Sequence, residues 1–416
     1  MQILKITARI PSVKEIIVDV PSNITVAELK RILCERLKIE QDLTKLLANG
    51  IPLKENQKIS KIKLKSKKLE IDYLWSRQLI LWGEDGQAKL GKSNVLIAGA
   101  GAIGNETAKN LAMLGIRKFT IIDYDKVEVS NLSRMVFFDK SDSGKPKSKV
   151  LARKLHNKYP HLEITAIQGK LENLPLKVYL DSDIIVSGLD NFASRFFLTS
   201  ISRRYIIPLV DGGIIGYQCR VQSYVPPNDP CPICPITREQ YGNLVGLRNP
   251  CDAPIEEAKT PSLPTTISLV SSIQTQEATK ILLGYNNYLQ TEKWPETTGQ
   301  PMQGIWIADL KYNKYSLLKL SKNENCMICG ENGEARNTVQ IIDISIKKFF
   351  SSDLRNRYLR DIFPESDEFL FFKMSEGKPI RINDNEILKK DLGKGDYLLV
   401  TLKRKGEYIE AIIRLK

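Results

Sequence analysis

The sequence predicts an α/β protein: a doubly wound, mostly parallel sheet flanked by two small α+β modules. Three observations predict it. Between residues 73 and about 330, apolar strand-like runs alternate with helical stretches: NVLIAGA, ETAKNLAMLGI, FTIIDYD, SKVLARKLHNKY, ITAIQGK and DIIVSGLD. That rhythm is the signature of parallel strands joined by crossover helices. Residues 1 to about 72 instead read strand, strand, helix, short strands, and residues from about 335 to 416 return to short strands.

In the N-terminal module, MQILKITARI alternates apolar and polar positions and SVKEIIVDV follows after a turn. TVAELKRILCERL then carries Val26, Leu29, Ile32, Leu33 and Leu37 on one helical face. The order ββαβ is that of a β-grasp. At the other end, FLFFKM and YLLVTLKRK read as strands and GKGD as a turn, which makes a second β-grasp-like module the expectation. No other internal repeat is present.

A chain of 416 residues with 42% apolar content can bury a sizeable core. No run of 18 uncharged apolar residues occurs and the N-terminus lacks the apolar segment of a secretory signal, so the expectation is a cytoplasmic protein with no membrane partner. Lys and Arg exceed Asp and Glu by 62 to 48, but the excess is spread out and not interleaved with aromatics. It reads as solvated surface rather than a nucleic-acid footprint, including KIKLKSKK at 61 to 68. The two histidines, His156 and His161, stand away from every other motif, which argues against histidine catalysis.

Four of the seven cysteines form two CxxC pairs, Cys231 with Cys234 and Cys326 with Cys329. Neither pair opens a helix after a strand, as a redox pair would. Two such pairs instead match a tetrahedral thiolate zinc site, which is closed and therefore structural.

In NVLIAGAGAIGNETAKNLAMLGI, glycines stand at Gly99, Gly101 and Gly104. They let the backbone turn tightly and bring amide groups and a helix N-terminus against phosphate oxygens. Asp123, at the end of the next strand, is placed to accept hydrogen bonds from ribose hydroxyls. Both features serve a dinucleotide as well as ATP, so at this point an NAD-dependent oxidoreductase stays open.

Two resemblances narrow the choice. The first segment resembles ubiquitin: MQI, VPSNITVAELKRIL and LLANGIPLKENQKIS stand where ubiquitin has its first strand, its turn and helix, and its hairpin. It runs into IDYLWSRQ without a terminal Gly-Gly, so it reads as a fused recognition module. The central segment resembles the ubiquitin-activating enzymes and the ThiF and MoeB adenylyltransferases. The motifs, in order, are SRQLILWGEDGQ, GAGAIG with Ala102 where a glycine is usual, DYD, NLSR, GKPKSK, SGLDN, VDGG, both CxxC pairs and SLPTTISLVSSIQTQEATKILLGY.

The resemblance implies a Rossmann-like adenylation domain that uses ATP and Mg²⁺ to activate the Gly-Gly C-terminus of a ubiquitin-like protein. Arg134, Lys147 and Arg77 would neutralise the phosphates, with Arg77 reaching into a neighbouring subunit of a homodimer. Asp190 would hold Mg²⁺, its alternative role being an N-cap. Asn131 and Asp125 would contact phosphate or ribose, and Arg195 would support the same turn. Among the remaining cysteines, Cys34 and Cys219 read as buried. Cys251 lies in the segment resembling the crossover loop, about 236–262, and is the candidate thioester nucleophile. Otherwise the enzyme stops at the adenylate, or hands the acyl group to a conjugating enzyme or sulfurtransferase. A catalytically silent scaffold is the rival of another class. The implied domains are 1–72, 73–334 and 335–416.

Overall fold

The computed structural model describes residues 3–62, 68–246, 261–364, 366–375, 378–382, 392–404 and 407–416. The chain divides into two internally packed units. The first comprises Met1–Ser93, Leu111–Lys118 and Thr279–Gln300, and the second the remainder.

In the first unit, β1 (Ile3–Ile10), β2 (Lys14–Pro21), β3 (Thr44–Ala48), β4 (Ile51–Pro52) and β5 (Lys68–Tyr73) form a sheet of order β2-β1-β5-β3-β4. The hairpin partner β2 runs antiparallel to β1, while the last strand β5 runs parallel to it, the β-grasp arrangement expected of this segment. Helix α1 (Val26–Leu37) starts with a capping box: Glu28 N–H donates to Thr25 Oγ1 at 3.2 Å, and Thr25 N–H to Glu28 Oε2 at 2.7 Å. Its face of Val26, Leu29, Leu33 and Leu37 is buried against Ile6, Val18, Leu69 and Ile71, with Cys34 in the same core. A second helix, α2 (Ser76–Lys92), is broken at Gly83, whose φ of 69° suits a residue without a Cβ. It is held by Gln87 Nε2 donating to the Leu114 carbonyl at 2.9 Å.

In the second unit the strands are β6 (Asn94–Ala98), β7 (Lys118–Asp123), β8 (Glu163–Gln168), β9 (Ile184–Ser187), β10 (Leu209–Ile215), β11 (Gln218–Tyr224), β12 (Ile305–Asp309) and β13 (Lys314–Leu318). They line up as β13-β12-β11-β10-β9-β6-β7-β8. β9 pairs in parallel with both β6 and β10. The helices α3 (Ala102–Met113), α4 (Lys147–Lys158), α5 (Lys177–Leu180), α6 (Phe192–Tyr205), α7 (Arg238–Gly246) and α8 (Pro264–Thr291) connect or cover them, the C-terminal ends of α3 and α8 being counted with the first unit. From β6 the chain winds outward one way to β8, then restarts at β9 and winds the other way. The switch point therefore lies between β6 and β9, where such folds collect ligands. Beyond β10 the sheet turns antiparallel through β11, β12 and β13, an arm that the strand–helix rhythm of the sequence did not forecast.

A third sheet, β14 (Gln340–Ile344), β15 (Ser366–Ser375), β16 (Lys378–Ile382), β17 (Tyr397–Arg404) and β18 (Glu407–Leu415), has the order β14-β18-β17-β15-β16 and carries α9 (Ile346–Phe349) and α10 (Ser352–Ile362). It shares with the expected β-grasp the parallel pairing of first and last strands. It departs from it because β14 stands at the edge instead of forming a hairpin with its successor. Nor is this segment packed apart: Val339 and Ile412 sit in one core with Leu96, Tyr179 and Leu198, and Tyr397 Oη donates to the Leu180 carbonyl at 3.0 Å.

Candidate nucleotide and metal sites

The glycine loop leaves the end of β6 at the switch point. Gly99, with φ of 95°, donates its N–H to the Ile122 carbonyl at 2.8 Å, and Gly188 N–H reaches Ala98 O at 3.0 Å. Gly104 packs so closely that a Cβ there would lie 1.9 Å from the Gly99 carbonyl oxygen, whereas one on Gly101 would meet nothing within 4 Å. Ala102 is the first residue of α3. The first hydrogen bond of its opening turn runs from Asn105 N–H to Gly101 O at 2.9 Å. The amides of residues 101 to 104 thus have no intrahelical acceptor and form the positive end of the helix dipole.

Asn105, which the sequence did not single out, fixes this loop. Fully buried, it donates through Nδ2 to Ala100 O at 2.8 Å and Gly101 O at 3.1 Å, and Phe137 N–H donates to its Oδ1 at 3.4 Å. Its four-residue offset from Gly101, on the buried side of the helix, was the available signal. Ser271 of α8 adds a hydrogen bond to Ile103 O at 3.2 Å.

Asp123 ends β7 beside the loop. Its carboxylate accepts from Ala100 N–H and from Asp125 N–H, each at 2.7 Å. Burial pushes its carboxyl up to about 6, against the pull of Lys147 and of those two amides. Asp125 in turn pairs with Lys147, Oδ2 to Nζ at 2.7 Å, while its carbonyl accepts Lys147 N–H at 2.9 Å. Lys147 opens α4 with its side chain only 11% exposed. A continuous path therefore links the glycine loop, Asp123, Asp125 and Lys147.

Arg134 follows a 3-10 turn, Val129–Ser133, and donates to Ser130 O at 2.6 Å. Asn131 is buried; its Oδ1 accepts Glu128 N–H at 3.0 Å and its Nδ2 makes a long hydrogen bond to Ser130 Oγ at 3.5 Å, so the side chain shapes the turn. Asp190 is exposed just beyond β9, and its charge acts on the Arg195 guanidinium. The N-cap of α6 is its neighbour Asn191, which accepts Ser194 N–H at 2.7 Å, so the capping role weighed for Asp190 falls elsewhere. Arg195 pairs with Asp211 and donates to Gly212 O at 3.0 Å.

Arg77 belongs to the first unit, where it stands exposed in the first turn of α2. It does not cap that helix, whose N-cap is Trp75. Cys34 and Cys219 are buried, and burial raises both thiols, Cys219 to about 11. Neither is poised as a nucleophile. Cys251, with the rest of residues 247–260 of the expected crossover loop, lies outside the described residues.

The second site is the cysteine cluster. Cys231, Cys234, Cys326 and Cys329 bring four sulfurs within 4.8 Å of one another. The separations are 3.5 Å for Cys231–Cys326, 3.8 Å for Cys231–Cys234 and 3.4 Å for Cys234–Cys329. These exceed any S–S bond and form a set able to hold a metal ion. Cys326 and Cys329 are held below the ordinary thiol range, chiefly by hydrogen bonding from Cys231, Cys329 at about 7.

Comparison with known proteins identifies the families of the central and N-terminal segments. The model of the ThiF family matches residues 75–328, and that of the ubiquitin family residues 5–69. The SAMP-activating enzyme E1 of Haloferax volcanii is 28% identical over 263 residues, 62% of this chain and 89% of its own. The molybdopterin-synthase adenylyltransferase of Escherichia coli is 28% identical over 262 residues, 62% of this chain and 96% of its own. The NEDD8-activating enzyme E1 catalytic subunit of Saccharomyces cerevisiae is 36% identical over 151 residues, 34% of this chain and half of its own. The crystal structure of E. coli MccB with ATP superposes with a TM-score of 0.50 at 21% identity, covering 62% of this chain and 75% of that one, a likeness of fold. Among the described residues, no helix is long and apolar enough to cross a membrane.

Proposed function

Because the chain belongs to the ThiF family, we propose that it is an ATP-dependent activating enzyme that adenylates the C-terminal glycine of a ubiquitin-like protein. In this reaction a carboxylate oxygen of the partner's terminal glycine bonds to the α-phosphorus of ATP. The bond from that phosphorus to the bridging oxygen breaks, and pyrophosphate leaves with the electron pair. Such transfers are catalysed by positioning and by neutralising charge on the phosphate oxygens. The observation that carries the reading is the hydrogen-bonded path from the glycine loop through Asp123 and Asp125 to Lys147, beside an exposed Asp190.

Each residue then has a task. The amides at 101–104 receive phosphate oxygens, assisted by Gly99, Gly101 and Gly104, which keep the backbone close. Asp123 accepts the ribose hydroxyls with its remaining lone pairs. Lys147 exchanges Asp125 for a phosphate, Arg134 supplies a guanidinium fork, and Asn131 offers its amide. Asp190, an exposed carboxylate at the carboxyl edge of β9, suits Mg²⁺, which would neutralise phosphate charge when bound. Arg77 acts across a homodimer.

The four cysteines fit zinc: with Zn–S near 2.3 Å, tetrahedral geometry requires sulfurs about 3.8 Å apart. All four positions are filled by protein, so that metal would be structural. The ubiquitin-like segment, within 1–72, serves as a recognition module beside an adenylation body at 73–334 and a C-terminal module at 335–416. The acyl group then passes to the Cys251 thiolate as a thioester, or from the adenylate to a conjugating enzyme or sulfurtransferase, the acyl–phosphate bond breaking and AMP leaving in either case, in the cytoplasm. ATP–pyrophosphate exchange tests the first step: exchange that appears only with a Gly-Gly-ended ubiquitin-like protein supports it, and none with any such partner refutes it.

A further inference from the structure

We propose that Arg195 is a positioning residue that grips the turn carrying Asp190, working through Asp211; this rests on the adenylation reading above. Residues 188–191 cross from β9 to α6 at the switch point. The turn is held on both sides of Asp190, once through a side chain and once through the backbone. On one side the Asn191 side chain caps α6, its Oδ1 accepting Ser194 N–H at 2.7 Å. On the other, Arg195 Nη2 donates to the Leu189 carbonyl and also to Gly212 O at 3.0 Å.

The guanidinium is itself fixed. Arg195 Nη1 pairs with Asp211 Oδ2, and Arg220 Nη2 donates to the same oxygen at 2.7 Å. Asp211 lies on β10 directly opposite Ser187, the last residue of β9, so the clamp is anchored one strand away from the turn it holds. The Arg195 and Asp211 side chains are 14% and 5% exposed, that of Arg220 35%. The glycines of VDGG make room: a Cβ on Gly213 would lie 3.3 Å from both Arg195 Nη2 and Arg220 Nε.

A buried ion pair adds little net stability over an apolar pair of the same volume, because desolvation offsets the attraction. What this one supplies is direction, since a planar fork meeting a carboxylate and two carbonyls admits one orientation. Groups that orient a metal's carboxylate ligand control affinity for the metal, and their loss costs about 10–100-fold. Arg220 shares Asp211 without touching the turn, which provides an internal control.

The full-length protein is titrated with ATP alone and then with Mg²⁺ at fixed ATP, following the thermal shift. In Arg195→Lys and Asp211→Asn the shift with ATP alone should persist, while half-saturating Mg²⁺ rises at least about tenfold. Arg220→Met should stay within about twofold of wild type. If Arg195→Lys fails to fold, Asp211→Asn, which keeps the side-chain shape, decides. A wild-type Mg²⁺ response in the variants overturns the clamp, as does an equal loss of the ATP and Mg²⁺ responses, which marks a purely structural role. A wild-type protein that shows no Mg²⁺-dependent increment defeats the adenylation reading itself, a result distinct from either.

Discussion

Two glycines of the loop, three residues apart, should respond to alanine in opposite ways. At Gly104 the new Cβ would stand 1.9 Å from the Gly99 carbonyl oxygen, 3.0 Å from its carbon and 3.4 Å from Ile97 Cγ2. A carbon and an oxygen need about 3.2 Å or more, so the start of α3 must retreat from β6 by roughly an ångström in a close-packed interior. That retreat strains the Asn105 bonds to Ala100 O and Gly101 O and the Ser271 bond to Ile103 O. Overpacking costs about 1–3 kcal/mol and each weakened hydrogen bond about 1 kcal/mol. Better helix propensity returns up to about 1 kcal/mol. Gly104→Ala should therefore lose roughly 3–5 kcal/mol of unfolding free energy. At Gly101 a Cβ meets nothing within 4 Å, so Gly101→Ala should change stability by less than about 1 kcal/mol. Its methyl nevertheless stands among the amides offered to phosphate, and ATP affinity should fall. Urea unfolding with and without ATP reads both effects. Equal midpoints for Gly104→Ala and wild type would refute the packing argument, and undiminished ATP binding by Gly101→Ala would refute the placement of the phosphates.

Three further outcomes follow from the same geometry. With its carboxyl raised by burial from 3.8 to about 6, Asp123 contributes folding stability that is complete below its unfolded value and is lost as pH rises through about 6. ATP binding runs the other way, because ribose hydroxyls require the carboxylate: calorimetry should show affinity about tenfold weaker at ~pH 5 than at ~pH 7.5, and a flat profile contradicts this. Removing zinc with a chelator, or Cys326→Ser, should lower the unfolding free energy by more than about 2 kcal/mol; a zinc-free protein of equal stability, established by metal analysis, dismisses the metal. The fully buried Asp142 carboxylate pairs with Arg153 at 2.8 Å and Lys154 at 2.6 Å. Asp142→Asn should therefore cost about 2–4 kcal/mol in urea unfolding, somewhat less than the ~3–5 kcal/mol of a fully buried pair because Arg153 is half exposed; a loss under about 1 kcal/mol would contradict it.

How far the residues announced this arrangement depends on the range of the interaction. The α1 face, the buried Cys34 and Cys219 and the glycine loop were legible because periodicity and spacing act over a few residues. The two CxxC pairs, 95 residues apart, were legible for a different reason: thiolate chemistry leaves few alternatives for such a set. Asp123 was legible as the end of its strand, yet its engagement of the Ala100 and Asp125 amides was not readable, since backbone donors carry no sequence signature. The Asp125–Lys147 pair spans a chain reversal between residues 125–127 and 144–147, and no local pattern specifies which carboxylate the lysine meets. Asn105 hid as an ordinary polar residue in a helix, and its importance emerges only once the loop carbonyls are located. The antiparallel arm after β10 escaped because β11 is separated from its neighbour β12 by the first CxxC pair and by α8. The edge position of β14 escaped because strand order in a small sheet follows from packing partners far away in the chain. Here those partners are on α5 and α6.

The most direct measurement follows the fate of label when the protein, Mg²⁺ and a Gly-Gly-ended ubiquitin-like protein are mixed with ATP carrying a labelled α-phosphate and quenched in acid within one turnover. The account predicts label joined to the partner's C-terminus in near-stoichiometric amount, and its loss when Lys147→Met or Asp190→Asn replaces the wild type. Label that remains in ATP, or that appears as ADP regardless of the partner, would contradict it.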